Sequence, residues 1–177
     1  RKELLSRFSI GNKDNKSDTE LILNGYKQMG AEIFKMLNGI YSIVIYDSKK
    51  NIILMSRDSL GVKPLYYCRK NGKLFIASEI GTFKAFGIDF LACKNTVYKY
   101  LKYGVYDNSN ESFIQDIYSI LPGQSLQVSI EGEKEIEYQS TDIEINNQRT
   151  YDETVDEFWE VVLDCFDRQT EGCDFFL

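Results

Sequence analysis

Hydrophobic spacing alternates between a helical and a strand period along the chain, and each switch predicts an element. Ser17-Asp18-Thr19-Glu20 has the form of a capping box ahead of Leu21, Ile22, Leu23 and Tyr26, so a helix is predicted to start there and to end at Gly30. A second helical stretch, with Ile33, Phe34 and Leu37 on one side, runs to Asn38-Gly39. The period then falls to two. Ile40 to Tyr46 and Ile52 to Ser56, rich in β-branched and aromatic residues, flank the polar turn Asp47-Ser48-Lys49-Lys50-Asn51 and predict a hairpin. A second hairpin pairs Leu65 to Cys68 with Lys73 to Ser78 across Lys70-Asn71-Gly72. Four consecutive strands predict an antiparallel sheet.

Helical spacing returns from Glu79 to Phe86, and again from about Asn95 to Tyr103, where Asn95 is the expected cap and Val97, Tyr100 and Leu101 the expected inner side. Pro122-Gly123 turns the chain into a strand, Ser125 to Val128. From Ser129 to Arg149 the chain becomes polar and acidic and reads as a strand edge and linker. Thr150-Tyr151-Asp152-Glu153 is another capping box, opening an amphipathic helix with Val155, Phe158, Trp159, Val162, Leu163 and Phe166 at three- and four-residue steps.

Composition narrows the function classes. At 177 residues the chain has room for one full core and the edge of a second domain, and its 43% hydrophobic and 27% charged content is that of a folded globular protein. With 21 basic against 27 acidic residues, the net charge of -6 argues against broad binding to nucleic acid or anionic lipid and favours a small-molecule substrate. No apolar run approaches a membrane span and the first residues lack a secretion signal's apolar core, so a cytoplasmic protein is expected. The non-Met start and the abrupt apolar Phe175-Phe176-Leu177 suggest a fragment.

The chain has no histidine, and Cys68, Cys93, Cys165 and Cys173 form no C-x-x-C pair. Neither a Ser-His-Asp or Cys-His device nor a histidine-ligated zinc site can be assembled from these residues. Each cysteine is expected to be a small buried hydrophobe in a reducing compartment.

The densest motif is Arg57-Asp58-Ser59-Leu60-Gly61-Val62-Lys63-Pro64-Leu65-Tyr66-Tyr67, an opposed charge pair at a strand end followed by Gly and Pro. On spacing alone it is a well-formed loop in which Arg57 and Asp58 tie down backbone groups, rather than a catalytic pair.

In order and in gaps, Ser17 to Leu23, Leu37-Asn38-Gly39-Ile40-Tyr41, Arg57 to Tyr67 and Ala77-Ser78-Glu79-Ile80 resemble the glutaminase domain of glutamine-hydrolysing asparagine synthetases, a class II glutamine amidotransferase domain. Tyr100 to Gly104, Ser112-Phe113-Ile114 and Leu121-Pro122-Gly123-Gln124-Ser125-Leu126 resemble its closing segments, although the family often has Pro-Gly-His where this chain has Pro122-Gly123-Gln124. The helix from Tyr151 and the terminal Phe175-Phe176-Leu177 resemble the lead-in to the family's ATP-pyrophosphatase domain.

The resemblance implies an α+β fold, the four-layer αββα sandwich of N-terminal-nucleophile hydrolases, incomplete here and followed by the first helix of an α/β ATP-pyrophosphatase domain. The implied boundaries are a glutaminase domain lacking its N-terminal part at 1–130, a linker at 131–149 and the start of the truncated synthetase domain at 150–177. In the family an N-terminal Cys attacks the side-chain amide of glutamine, its own α-amino group serving as base, which removes the need for histidine. Arg1 stands first here and no cysteine precedes Cys68, so no catalytic residue is expected in this chain and the isolated fragment should be inactive.

Asp18 matches the family aspartate that grips the α-amino group of glutamine; from local sequence alone it reads instead as a cap residue paired with the Thr19 and Glu20 backbone. Arg57, Asp58, Gly61, Ser78 and Glu79 are implied to form a structural motif near the site. No metal ligand is expected. The whole protein is expected to use glutamine, aspartate and ATP with magnesium, none of the ATP contacts falling in this chain because the family's phosphate-cradling loop would begin after Leu177. A homodimer is one assembly open to it.

Three rivals stand beside this reading: an asparagine-synthetase-like enzyme that amidates a sugar or secondary metabolite, a relative of the amidophosphoribosyl or glucosamine-phosphate amidotransferases, and a non-catalytic regulatory module of the same fold.

Overall fold

The computed structural model describes residues 2–8, 17–106, 108–129, 132–136 and 148–170. The chain divides into two compact units, Arg1–Ser140 and Thr141–Leu177. The first contains α1 (Lys2–Phe8), α2 (Asp18–Met29), a 3-10 stretch (Gly30–Met36) and two hairpins, β1 (Ser42–Asp47) with β2 (Ile52–Arg57) and β3 (Tyr66–Lys70) with β4 (Lys73–Ala77). A second 3-10 stretch (Ile80–Phe86), α3 (Lys94–Tyr103), β5 (Tyr118–Ser119), β6 (Ser125–Ser129) and β7 (Gly132–Ile136) complete it. The second unit contains α4 (Tyr151–Thr170).

The two hairpins do not share a sheet, contrary to the simple reading of four consecutive strands. They belong to separate antiparallel sheets, one ordered β1-β2-β6-β7 and the other β4-β3-β5. The reason is the direction in which successive side chains point. In β2, Met55 and Ile53 face one way, into a core shared with Leu126 and Val128 of β6, and with Tyr67, Leu74, Ile76 and Tyr118 of the other sheet. Leu54 and Ile52 face the opposite way and pack with Phe8, Tyr26, Ile33, Phe34 and Leu37. Both faces of β2 are therefore apolar, and one layer of helix could cover only one of them.

The second sheet repeats the arrangement. Tyr67 and Ile76 point at the first sheet, while Cys68 and Phe75 point away, toward Phe83, Ile88 and Ile117. The layers are thus helices α1 and α2 with the first 3-10 stretch, sheet, sheet, and the second 3-10 stretch with its following loop. Each side chain buried in these three cores contributes about 1.5–3 kcal/mol.

Local chemistry sets several boundaries. Ser17 caps α2 by accepting the Glu20 N–H on Oγ at 3.2 Å. The β3–β4 turn is Asn71-Gly72, with φ of 53° and 72°, the left-handed pair whose twist matches a two-residue hairpin. The strand β7, paired with β6 from Ser125↔Ile136 to Ser129↔Gly132, lies within the stretch read from sequence as strand edge and linker. The helix α1 has no counterpart among the sequence expectations; it is too short to show a helical period, yet Phe8 is buried against α2.

The expectations for α3 and the cysteines need correction. Cys93, not Asn95, occupies the cap position of α3, without a side-chain cap bond, and the Asn95 amide instead donates to Glu111 Oε2 at 2.7 Å. Thr96 is the buried residue of α3, while Tyr100 and Leu101 are exposed. Cys68 is buried as expected, but Cys93 is half-buried and Cys165 exposed; Cys173 lies outside the described residues.

In the second unit, α4 has the reciprocal capping box its sequence predicts: the Thr150 N–H donates to Glu153 Oε2 at 2.9 Å and the Glu153 N–H to Thr150 Oγ1 at 3.3 Å. Its apolar side chains Phe158, Trp159, Leu163 and Phe166 are exposed.

Helix α2 is fastened to the β1–β2 turn by Tyr26, whose hydroxyl donates to Asp47 Oδ2 at 2.7 Å. Asp47 Oδ1 also accepts the Lys49 and Lys50 N–H groups at 3.0 and 3.1 Å, so one carboxylate shapes the turn and anchors the helix. Burial, the Asp47 hydrogen bond and its charge together push the Tyr26 phenol up to about 12. A raised folded-state pKa contributes stability that is complete below the ordinary tyrosine value of about 10 and is lost as pH rises through about 12. Absorbance titration should show one tyrosine ionising about two units late, and Tyr26→Phe should remove that late step and lower the thermal midpoint; an unchanged titration curve would assign the shift elsewhere.

Candidate functional site

The chain from β2 to β3 crosses from one sheet to the other, and Arg57 and Asp58 sit at the crossing, 6% and 1% exposed. A buried guanidinium needs acceptors for its donors, and backbone carbonyls supply them here. Arg57 Nε donates to Lys63 O at 2.8 Å, Nη2 to Gly61 O at 2.6 Å and Nη1 to Ile120 O at 2.9 Å, with Ser119 Oγ at 3.3 Å from Nη1. The Arg57 N–H donates to Gln124 O at 3.1 Å.

The Asp58 carboxylate faces the same loop from the other side. Oδ1 accepts the Leu60 and Val62 N–H groups at 3.2 and 3.0 Å, and Oδ2 accepts Lys63 N–H at 3.0 Å. Its carbonyl accepts the N–H groups of both Gly61 and Gly123 at 2.9 Å. Burial alone would raise the carboxyl's pKa, but the backbone groups of Lys63, Val62, Leu60 and Tyr41 outweigh it and hold Asp58 below the usual carboxylate range.

These bonds join two motifs that are far apart in sequence, the Arg57 to Pro64 loop and the Leu121-Pro122-Gly123-Gln124 turn. Gly61, at φ 65°, is where they touch: an added Cβ would lie 2.7 Å from Pro122 Cγ and 3.0 Å from Arg57 Nη2. Gln124, at the position where the resembling family often has histidine, accepts the Leu121 N–H on Oε1 at 2.9 Å and closes its own turn. Arg57 and Asp58 therefore organise backbone. Sequence reasoning did not join the two motifs, because nothing local in either one names the other.

Ser78 and Glu79 lie exposed beyond the end of β4, with Glu79 preceding the second 3-10 stretch and making no side-chain cap bond. They take no part in the Arg57–Asp58 lock. Asp18 is at the first position of α2, exposed, while the cap bond itself is made by Ser17. The local expectation that Asp18 is the cap residue is thus replaced by one in which its neighbour serves. Beside it a groove of about 330 Å³ runs between α2 and β1, lined by Thr19, Ile22 and Leu23 on one side and by Ser42 to Tyr46 on the other. Its Ser42 end adjoins the lock, since Ser42 is the register partner of Arg57 and the Asp58 N–H donates to Tyr41 O at 3.0 Å. No group of three or more metal-ligating side chains occurs among the described residues.

The paired antiparallel sheets between helical layers have the fold expected from the resemblance, that of N-terminal-nucleophile hydrolases: glutamine phosphoribosylpyrophosphate amidotransferase from B. subtilis superposes with a TM-score of 0.53 at 21% identity, over 80% of this chain and 26% of that one. A family profile described as a glutamine amidotransferase domain matches residues 2–139, and the chain belongs to that family. An amidase, chyE, of Penicillium rubens is 30% identical over 136 residues, 77% of this chain and 20% of the relative. A putative glutamine-hydrolysing asparagine synthetase of Methanocaldococcus jannaschii is 38% identical over 78 residues, 44% of this chain and 15% of the relative. The chain thus spans a fifth or less of the length of these curated relatives.

The lock makes two predictions. Asp58→Asn should cost about 1–3 kcal/mol, because an amide nitrogen would face backbone N–H donors; its depressed pKa adds stability that is present above about pH 4 and lost as pH falls below it, so the variant's unfolding free energy should vary less with acid pH than the parent's. Gly61→Ala should cost at least about 1–2 kcal/mol from its left-handed backbone and the Pro122 clash. Urea unfolding measures both, and a neutral Gly61→Ala would mean the two turns separate readily.

Proposed function

We propose that the polypeptide containing this chain hydrolyses glutamine and uses the ammonia for ATP-dependent amidation of aspartate to asparagine. The observation that carries this reading is the match of a glutamine amidotransferase domain over residues 2–139, together with the likeness to glutamine-hydrolysing asparagine synthetases at 37–42% identity over 65 to 81 residues. In this reading a terminal cysteine outside residues 1–177 attacks the glutamine amide carbonyl, ammonia leaves, and water releases glutamate from the thioester.

Asp18 is assigned to the α-amino group of glutamine. Its exposed place on the first turn of α2, with Ser17 making the cap bond, supports that role, since an ionised acceptor suits an ammonium donor. Arg57, Asp58 and Gly61 are assigned to holding the loop beside the groove, since their bonds run to backbone groups. ATP and magnesium are assigned to parts of the polypeptide beyond this chain, and α4 to the start of the domain that holds them. Cytoplasmic placement follows from the same biosynthetic role.

A second reading is favoured by the longer match to the Penicillium rubens amidase, which is not a named asparagine synthetase: the ammonia goes to an acceptor other than aspartate. Amide formation by the whole polypeptide with glutamine, ATP and aspartate distinguishes the two. Asparagine production supports the first reading, and glutamine hydrolysis without asparagine transfers weight to the second. Asp18→Ala should raise the KM for glutamine by about ten- to a hundredfold, the loss of one charge-assisted hydrogen bond, with a smaller change in kcat. An unchanged KM would remove Asp18 from the site.

A further inference from the structure

Asp18, Ile22 and Tyr26 stand at four-residue steps and so share one strip of α2. Tyr26 packs with Phe8, Ile33, Phe34, Ile45 and Leu54, and Ile22 packs against the same cluster. Apolar contacts of this kind hold a helix down but are non-directional, so they tolerate a small slide or turn along the sheet. A hydrogen bond tolerates less, because it weakens steeply as its length and angle leave the optimum. Tyr26, 8% exposed, supplies one: its hydroxyl donates to Asp47 Oδ2 at 2.7 Å.

The acceptor is itself fixed. Asp47 is the last residue of β1, its Oδ1 accepts the Lys49 and Lys50 N–H groups, and Lys50 Nζ lies 3.9 Å from Oδ2 and 5.6 Å from the Tyr26 ring centroid. The two ends of β1 thereby meet different partners, Ser42 facing Arg57 in register and Asp47 bonded to α2. Ser17 acts within its own helix, accepting the Glu20 N–H on Oγ. That cap shapes the first turn of α2 without setting where the turn lies against β1, which the Tyr26–Asp47 bond does. The helix between Tyr26 and Asp18, about 12 Å long at the usual rise, carries a displacement of one to the other.

We infer that Tyr26 and Asp47 are positioning residues for the substrate: their bond sets the place of Asp18, and through it the selection of an amide that carries an α-amino group. The inference rests on the glutaminase reading proposed above and on the role given there to Asp18. Both residues act through Asp18, so their effect falls on recognition of the ammonium group and not on attack at the amide carbonyl.

The test compares hydrolysis of glutamine and of glutaramate, the same amide without the α-amino group, by the polypeptide encoded by the uninterrupted reading frame, with thermal melting of every variant. Tyr26→Phe keeps the ring and loses the hydroxyl; Asp47→Asn keeps an acceptor oxygen. Expected for Tyr26→Phe is a KM for glutamine raised about three- to tenfold at nearly unchanged kcat, with kcat/KM for glutaramate unchanged. Asp47→Asn should lie between Tyr26→Phe and the parent, and it decides by the same comparison if Tyr26→Phe fails to fold. Added to Asp18→Ala, Tyr26→Phe should change nothing further, since the carboxylate it positions is gone. An equal loss on both amides makes the bond a general support of the fold and overturns the inference. An unchanged glutamine KM in Tyr26→Phe, or an additive effect in the Asp18→Ala background, overturns it too and leaves the glutaminase reading standing. A parent that hydrolyses no glutamine, or an Asp18→Ala variant with the parental KM, instead removes the reading itself, and the inference falls with it.

Discussion

Two buried charges at one strand crossing govern the arrangement of this protein. Arg57 and Asp58 are nearly inaccessible, and a buried ion without partners would cost several kcal/mol. The chain meets that demand with backbone: carbonyls of Gly61, Lys63 and Ile120 around the guanidinium, N–H groups of Leu60, Val62 and Lys63 around the carboxylate. Because these groups come from the β2–β3 connection and from the end of β5, satisfying the charges also sets where one sheet passes to the other. A single arrangement of the two turns meets all the bonds together, which is how a polar pair specifies geometry in a place where apolar packing would tolerate several.

Around that crossing the layers follow from alternation. In β2 both sets of alternating side chains are apolar, so one set packs on α2 and the other on the second sheet. The small buried pair Ser56 and Ser125, bonded Oγ to Oγ at 2.8 Å across β2 and β6, lies next to the lock and satisfies polar atoms where no water reaches. The groove between α2 and β1 begins at Ser42, the strand position paired with Arg57, so the lock also fixes one end of the groove. The first turn of α2, where Asp18 stands, is positioned by Ser17 at the cap and by the Tyr26–Asp47 bond further along the helix.

The glutamine amidotransferase family accounts for residues 2–139, the stretch that holds both sheets and the lock. The solved B. subtilis amidotransferase shares the fold at only 21% identity, so what persists between the two is the layered architecture rather than the side-chain detail.

Hairpin strands, the α2 cap and the α4 capping box could be read from the chain because each rests on residues within a few positions: alternating β-branched residues, Asn71-Gly72 at a two-residue turn, Ser17 and Thr150 each three residues before a glutamate. The motifs of the glutaminase family were legible for the same reason, as short ordered strings. Assignment of the hairpins to two sheets was not, since periodicity tells which faces are apolar and leaves open what covers them. Nor was the outward placement of Leu101, which depends on where neighbouring elements end, nor the union of Gly61 with Pro122, which are separated by the whole of β3, β4 and α3. Local sequence determined the elements and their caps through short-range bonds and steric preferences; only the tertiary structure decided which distant backbone groups satisfy Arg57 and Asp58, because that depends on contacts between segments that no local pattern encodes.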